Sequence, residues 1–273
     1  MSDQCNHDCG NCSKSNCGDR DMREKLNQFS KVDKVIAVVS GKGGVGKSLV
    51  TSLLATAMQK RGKVTAIMDA DITGPSIPKA FGLKGRLDGT DSGIYPAITR
   101  TGIQAVSLTF FLENPTDPVV WRGPVIAGCV KQFWTDMIWN DVNYMFVDMP
   151  PGTGDVPLTV FQSIPVSGIV VVTSPQELVS DIVEKATKMA NLMNIPILGI
   201  VENMAYFDCP DCGKRHYIYG KSNVEKLAKE YNIPVTAGIP INPDYARLVD
   251  AGRVEEANTA PLDQLLDSFE KLK

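Results

Sequence analysis

Three groups of residues in this 273-residue chain have types and spacings suited to chemistry. The first is Gly41-Lys42-Gly43-Gly44-Val45-Gly46-Lys47-Ser48, which fits the pattern G-x-x-x-x-G-K-[ST]. Its glycines let successive backbone N–H groups turn toward phosphate oxygens, Lys47 would reach the β- and γ-phosphates, and the Ser48 hydroxyl would ligate magnesium. The second group is acidic: Asp69, Asp71 and Asp148, each at or just beyond the end of an apolar run. Phosphoryl transfer to water needs charge neutralisation, a magnesium ion and a group that orients the attacking water. Asp148 suits magnesium, with Asp69 on the same side, and Asp71 is the candidate for orienting the nucleophile. The third group is the cysteines, which are unevenly distributed: Cys5, Cys9, Cys12 and Cys17, a lone Cys129, then Cys209 and Cys212.

Both cysteine groups point to metal or redox chemistry. Residues 1–20 carry four thiols and hardly any apolar side chains, so they read as a separate metal-binding tail without a core of its own. The spacing C-x3-C-x2-C-x4-C suits an iron–sulfur cluster or one tetrahedral zinc, and a loose thiol-rich tail is the third possibility. Cys209-Pro210-Asp211-Cys212 supplies only two ligands. The others must come from Cys5 to Cys17, from His216 or from a second copy of the chain; a two-fold dimer would bring four thiolates to one shared cluster. Cys129 falls inside an apolar helix and reads as a small core residue.

The elements that position these groups follow from the periodicity. Residues 21–33 are charged, with Met22, Leu26 and Phe29 at helical spacing, and predict a short connecting helix. The main domain is expected over 34–273. Apolar runs at 35–39, 64–68, 103–108, 144–148, 168–173, 197–201 and 235–239 read as strands. Between them lie helical stretches after Ser48, from Trp121-Arg122-Gly123-Pro124 to about Trp139, over 178–193, and near 221–231, 243–251 and 261–271. This alternation predicts an α/β fold, a doubly wound and mostly parallel sheet with helices on both faces, and the glycine loop at 41–48 makes the expected sheet one of P-loop NTPase type. Such sheets bind ligands at the carboxyl ends of their strands, where the glycine loop, Asp69, Asp71, Asp148 and Glu202-Asn203 all fall.

Composition excludes some classes. A net charge of -3 gives no basic face for nucleic acid, and no apolar run approaches the ~20 residues that span a bilayer. The first residues lack a secretory pattern, so a cytoplasmic protein with no membrane or nucleic-acid partner is expected.

Lys42-Gly43-Gly44-Val45-Gly46-Lys47-Ser48 resembles the signature of the deviant Walker A ATPases, the class of MinD, ParA and the nitrogenase iron protein. The resemblance implies that Lys42 contacts phosphate across a homodimer interface, that Asp71 and Asp148 are switch acids, and that Asn203 reads adenine. Adding Gly74-Pro75-Ser76, Trp121-Arg122-Gly123-Pro124, Asp148-Met149-Pro150-Pro151-Gly152-Thr153-Gly154-Asp155, Glu202-Asn203-Met204 and the cysteine pair, the chain is similar to the Mrp/ApbC iron–sulfur cluster carrier ATPases over about 32–255. That similarity implies ATP, magnesium, a labile 4Fe-4S cluster bridging Cys209 and Cys212 of two chains, apo iron–sulfur proteins as recipients and a cluster donor scaffold upstream. The competing readings are a MinD- or ParA-like positioning ATPase and an ATP-dependent electron donor with a permanent cluster. MinD holds membrane with a basic amphipathic C-terminal helix. Here the stripe Leu262, Leu265, Leu266, Phe269 and Leu272 alternates with acids and is expected to pack on the domain.

Overall fold

The structure is a computed structural model and describes residues 23–72, 74–114, 123–152, 154–175 and 179–272. Cys5, Cys9, Cys12, Cys17, Met22, Trp121, Arg122, Thr153 and Leu178 lie outside the described residues. In chain order the elements are β1 (Val32–Ser40), α1 (Lys47–Lys60), β2 (Thr65–Asp69), α2 (Ile77–Phe81), β3 (Gly89–Thr90), β4 (Gly93–Ile94), β5 (Ala97–Ile98), β6 (Gln104–Val106), α3 (Gly123–Thr135), β7 (Val142–Asp148), α4 (Asp155–Ser163), β8 (Gly168–Thr173), α5 (Val179–Leu192), β9 (Ile197–Asp208), β10 (Arg215–His216), α6 (Val224–Glu230), β11 (Thr236–Pro240), α7 (Pro243–Asp250) and α8 (Asp263–Phe269).

The main sheet runs β10-β9-β8-β1-β7-β2-β6-β5, with β11 also paired to β9. All pairings are parallel except β5 with β6 and β10 with β9. The expected doubly wound sheet is therefore present, with β1 at its centre between β7 and β8. Alternation along the strands builds two cores. Val35, Ala37 and Val39 face one layer together with α3, α4 and α5, whereas Ile36 and Val38 face the layer filled by α1, α7 and α8. Central parallel strands covered on both faces read as continuous apolar runs for this reason. The C-terminal stripe is spent on the second core: Leu262, Leu265, Leu266 and Phe269 are fully buried, so α8 has no apolar face left for a membrane. Among the described residues no helix is long and apolar enough to cross one.

Three expectations need correction. Residues 23–31 form no helix but a tether held by tertiary bonds: Glu24 N–H donates to Ser163 O, Trp134 Nε1 donates to Glu24 O, and Asn27 Nδ2 donates to Ser92 O. Asn27 also turns the chain through its own Oδ1, which accepts from Phe29 N–H. The helix after Pro124 ends at Thr135, and Trp139 beyond it is fully buried. The strand expected over 197–201 continues to Asp208, so Glu202 and Asn203 lie inside it.

Candidate functional site

The parallel register gathers the acidic residues. Val38 of β1 and Asp69 of β2 both pair with Asp148, the last residue of β7, so two carboxylates end on neighbouring strands beside the loop that leaves β1. That loop enters α1 through Gly46, whose φ of 85° is left-handed and open to glycine. A Cβ there would sit 2.2 Å from Asn203 Nδ2. The first turn of α1 is buried on the acids. Lys47 Nζ donates to Asp148 Oδ1 at 2.7 Å, Ser48 Oγ to Asp148 Oδ2 at 2.5 Å, and Thr51 Oγ1 to Asp148 Oδ1 at 2.9 Å. Asp71 Oδ2 lies 3.4 Å from Lys47 Nζ. The Asp148 carboxylate is wholly buried, yet three donors, one of them the Lys47 cation, satisfy it, which is the condition for keeping a charge out of water.

A 370 Å³ cavity opens on this cluster, lined among others by Lys42, Gly44, Lys47, Ser48 and Asp71. Lys42 is exposed at its rim. The hard oxygen donors Ser48 Oγ and Asp148 Oδ2 converge within hydrogen-bond distance, a donor set that fits magnesium. Asp69, the other acid expected on the magnesium side, has different partners. It is completely buried, Ser107 Oγ donates to its Oδ2 at 3.0 Å, and Asp71 N–H is directed at its Oδ1 at 3.3 Å. Burial first, then the Asp148 charge, push its carboxyl well above the usual carboxylate range.

Asn203 lies under the loop. Its Nδ2 donates to Val45 O at 2.9 Å and its Oδ1 accepts from Met204 N–H at 3.0 Å. Five residues on, β9 ends and the cysteine turn begins. The turn is tight: Cys209 N–H donates to Lys214 O, Gly213 N–H donates to Cys209 O, and Gly213 has φ 68°. Arg215 closes its base with two bonds to Asp208 at 2.8 and 3.0 Å. Backbone N–H groups of Cys212 and then Asp211 hold the Cys209 thiol below its usual pKa, which favours the thiolate that binds metal. Cys209 is partly exposed and Cys212 exposed. Among the described residues no group of three or more His, Cys, Asp or Glu side chains is placed to hold a metal ion, so His216 does not complete the pair. Cys129 is different: burial pushes its thiol up to about 11, and it packs beside the core as expected.

Thr51 and Ser107 were not visible as site residues in the sequence. Thr51 stands one helical turn after Lys47, a spacing that puts both on one face. Ser107 follows β6, and only the non-local pairing of β6 with β2 brings it to Asp69.

A glycine loop between a central parallel strand and a helix, with a buried lysine and strand-end acids, defines a P-loop NTPase. The chain belongs to the family described as ParA: NUBPL iron-transfer P-loop NTPase, which matches residues 31–272. It is 39% identical over 257 residues to an iron-sulfur cluster carrier protein of Clostridium perfringens, covering 91% of this chain and 90% of the relative. It is 40% identical over 259 residues to one of Methanocaldococcus jannaschii, covering 91% and 89%. Among solved structures, a nucleotide-binding protein in complex with ADP from Archaeoglobus fulgidus is 45% identical with TM-score 0.76, covering 89% of this chain and 93% of that one. The Pyrococcus furiosus cell division ATPase MinD shares the fold alone, at 18% identity and TM-score 0.62 over 88% of this chain and 99% of that one.

Proposed function

We propose that this chain binds and hydrolyses ATP, holds a labile 4Fe-4S cluster as cargo between Cys209 and Cys212 of two copies, and passes it to apo iron–sulfur proteins. The observation that carries the reading is the cysteine turn: two accessible thiols, one tuned toward thiolate, beyond the edge where the phosphate loop sits and without a third ligand among the described residues. A cluster taking four cysteines draws its other two from elsewhere, and a two-fold pair of chains supplies them as a second Cys209 and Cys212; a site shared between molecules can be opened. The names of the relatives support the cargo, and the ADP complex of the Archaeoglobus protein supports the nucleotide.

At the loop, Lys47 and the backbone N–H groups bind the phosphates. Magnesium, when bound by Ser48 and Asp148, neutralises phosphate charge. Asp71, beside Lys47 at the cavity wall, orients water for attack. Lys42, exposed at the rim, would reach a nucleotide in the opposite copy, the role that the resemblance to the deviant Walker A ATPases implies. Asn203 keeps a second amide hydrogen for an adenine while the first holds the loop. The cysteines at 5, 9, 12 and 17 would hold a second cluster, supplied like the first by a donor scaffold.

The test is transfer. Protein loaded anaerobically with iron and sulfide should pass its cluster to an apo-ferredoxin, with the rate changed by ATP. Retention of the cluster through repeated reduction and oxidation, with no transfer, would instead mark an electron donor.

A further inference from the structure

β9 serves both halves of the site, and its course changes where they meet. Up to Glu202 the strand is paired on both sides, with Thr173 of β8 and Gly238 of β11. Beyond it the register slips: Gly238 faces Glu202, but Pro240 faces Tyr206, so β9 advances four residues while β11 advances two. The extra residues form a bulge at Asn203 to Ala205, in which Met204 has a left-handed φ of 58°. A non-glycine residue held there costs about 1–2 kcal/mol, so the surroundings must over-determine it. Bulges bend a strand and re-aim its side chains.

Both legs of the cysteine excursion are fastened at this bulge. On the outgoing leg Asn203 donates to Val45 O of the phosphate loop. On the return leg Ser222 Oγ donates to Glu202 Oε1 at 2.6 Å and itself accepts from Val224 N–H, which ties the root to the start of α6. Glu202 is 5% exposed, and burial raises its carboxyl. From Asn203 to Asp208 the strand runs on for about 17 Å, five steps at ~3.3 Å, meeting β11 again only at Tyr206 and then pairing with β10 through Phe207 and Asp208. A tilt of about 10° at the bulge would displace the cysteine turn by about 3 Å over that length. A shift of that size changes whether two copies can offer four thiolates to one cluster.

We propose that the Glu202-Asn203-Met204 bulge is the joint that couples the two sites: nucleotide held by the loop sets the angle of the cysteine turn, and cluster occupancy sets nucleotide affinity in return. The proposal rests on the carrier reading and adds the regulation of that site. The differential contact is the Val45 carbonyl, because it belongs to the loop that would hold phosphate and is the acceptor that holds the bulge. Reciprocity follows from linkage, since any change in cluster affinity caused by nucleotide appears equally in nucleotide affinity.

The test is calorimetric titration of ADP and of a non-hydrolysable ATP analogue into full-length protein, cluster-free and cluster-loaded, under argon. Wild type should show at least a ~5-fold difference in Kd between the two forms for one nucleotide. Ser222→Ala and Met204→Gly should keep wild-type affinity when cluster-free and keep their iron, while the ratio falls to about 1. Glu202→Gln, which retains the accepting oxygen, should keep the ratio. Should Ser222→Ala fold poorly, Met204→Gly decides, because glycine suits the left-handed backbone. A ratio of about 1 in wild type, or an unchanged ratio in both variants, would overturn the joint. Wild type that binds no iron at Cys209 and Cys212 would overturn the carrier reading beneath it.

Discussion

Thr51→Val tests the acid cluster where its geometry makes the sharpest demand. Thr51 is fully buried, and its hydroxyl lies 2.9 Å from Asp148 Oδ1 and 3.0 Å from Lys47 O. Valine matches its shape and β-branching but removes the donor. A hydrogen bond to a charged group contributes about 1.5–3 kcal/mol, and leaving a buried carboxylate oxygen one donor short lies within that range. For a domain of this size each kcal/mol shifts Tm by about 2–4 °C, so Thr51→Val should melt about 3–12 °C lower. Thr51 does not line the loop cavity, so ADP affinity should hold while ATP hydrolysis slows, because Asp148 loses one anchor. Thr51→Ser restores the hydroxyl and should recover both. Scanning calorimetry and a phosphate-release assay read the two effects. If Thr51→Val melts within about 1 °C of wild type and hydrolyses ATP normally, the hydroxyl does not support Asp148 and the reasoning fails.

Asp69 carries a pH signature. Its raised folded pKa means that its stabilising contribution is complete below the unfolded value of about 3.9 and is lost as pH climbs through the folded value. Asp69→Asn cannot titrate, so its stability relative to wild type should grow with pH by up to about 1.4 kcal/mol per unit; parallel urea-midpoint curves would show that the carboxyl is not raised. Lys47→Ala leaves the buried Asp148 without its cation and should cost about 3–5 kcal/mol by denaturant titration, abolish ATP hydrolysis and leave iron content intact. Gly46→Ala forces a Cβ to within 2.2 Å of Asn203 Nδ2 at a left-handed φ, and its ADP affinity by calorimetry should fall at least ~10-fold, equivalent to about 1.4 kcal/mol.

The parts that were legible in the sequence are those set by local order. The loop at 41–48, the helix that ends before Gly62 and the acid closing 144–148 each combine an apolar period with a punctuating residue, and the structure places the loop, the start of that helix and Asp148 at one sheet edge. What escaped depends on contacts made elsewhere. Leu26 and Phe29 stand at helical spacing, but Glu24 and Asn27 spend their bonding capacity on Ser163, Trp134 and Ser92, and tertiary bonds override a short propensity. α2 is only five residues long and carries no readable period. Glu202 and Asn203 look like a strand end because two polar residues follow an apolar run; the bulge explains why the strand continues past them. Asp69 shares the acid pattern of Asp148 and is equally buried; what separates them is their partners, Ser107 for the one and Lys47, Ser48 and Thr51 for the other, which the sequence does not show.

The most direct measurement is anaerobic reconstitution with iron and sulfide, followed by metal analysis and sizing, on full-length protein, on protein lacking residues 1–20, and on Cys209→Ala in that shortened background. The account predicts a shortened dimer with about four irons, and a Cys209→Ala protein that still binds ADP but holds none. Full iron and sulfide in the Cys209→Ala protein, or zinc alone in the wild type, would contradict it.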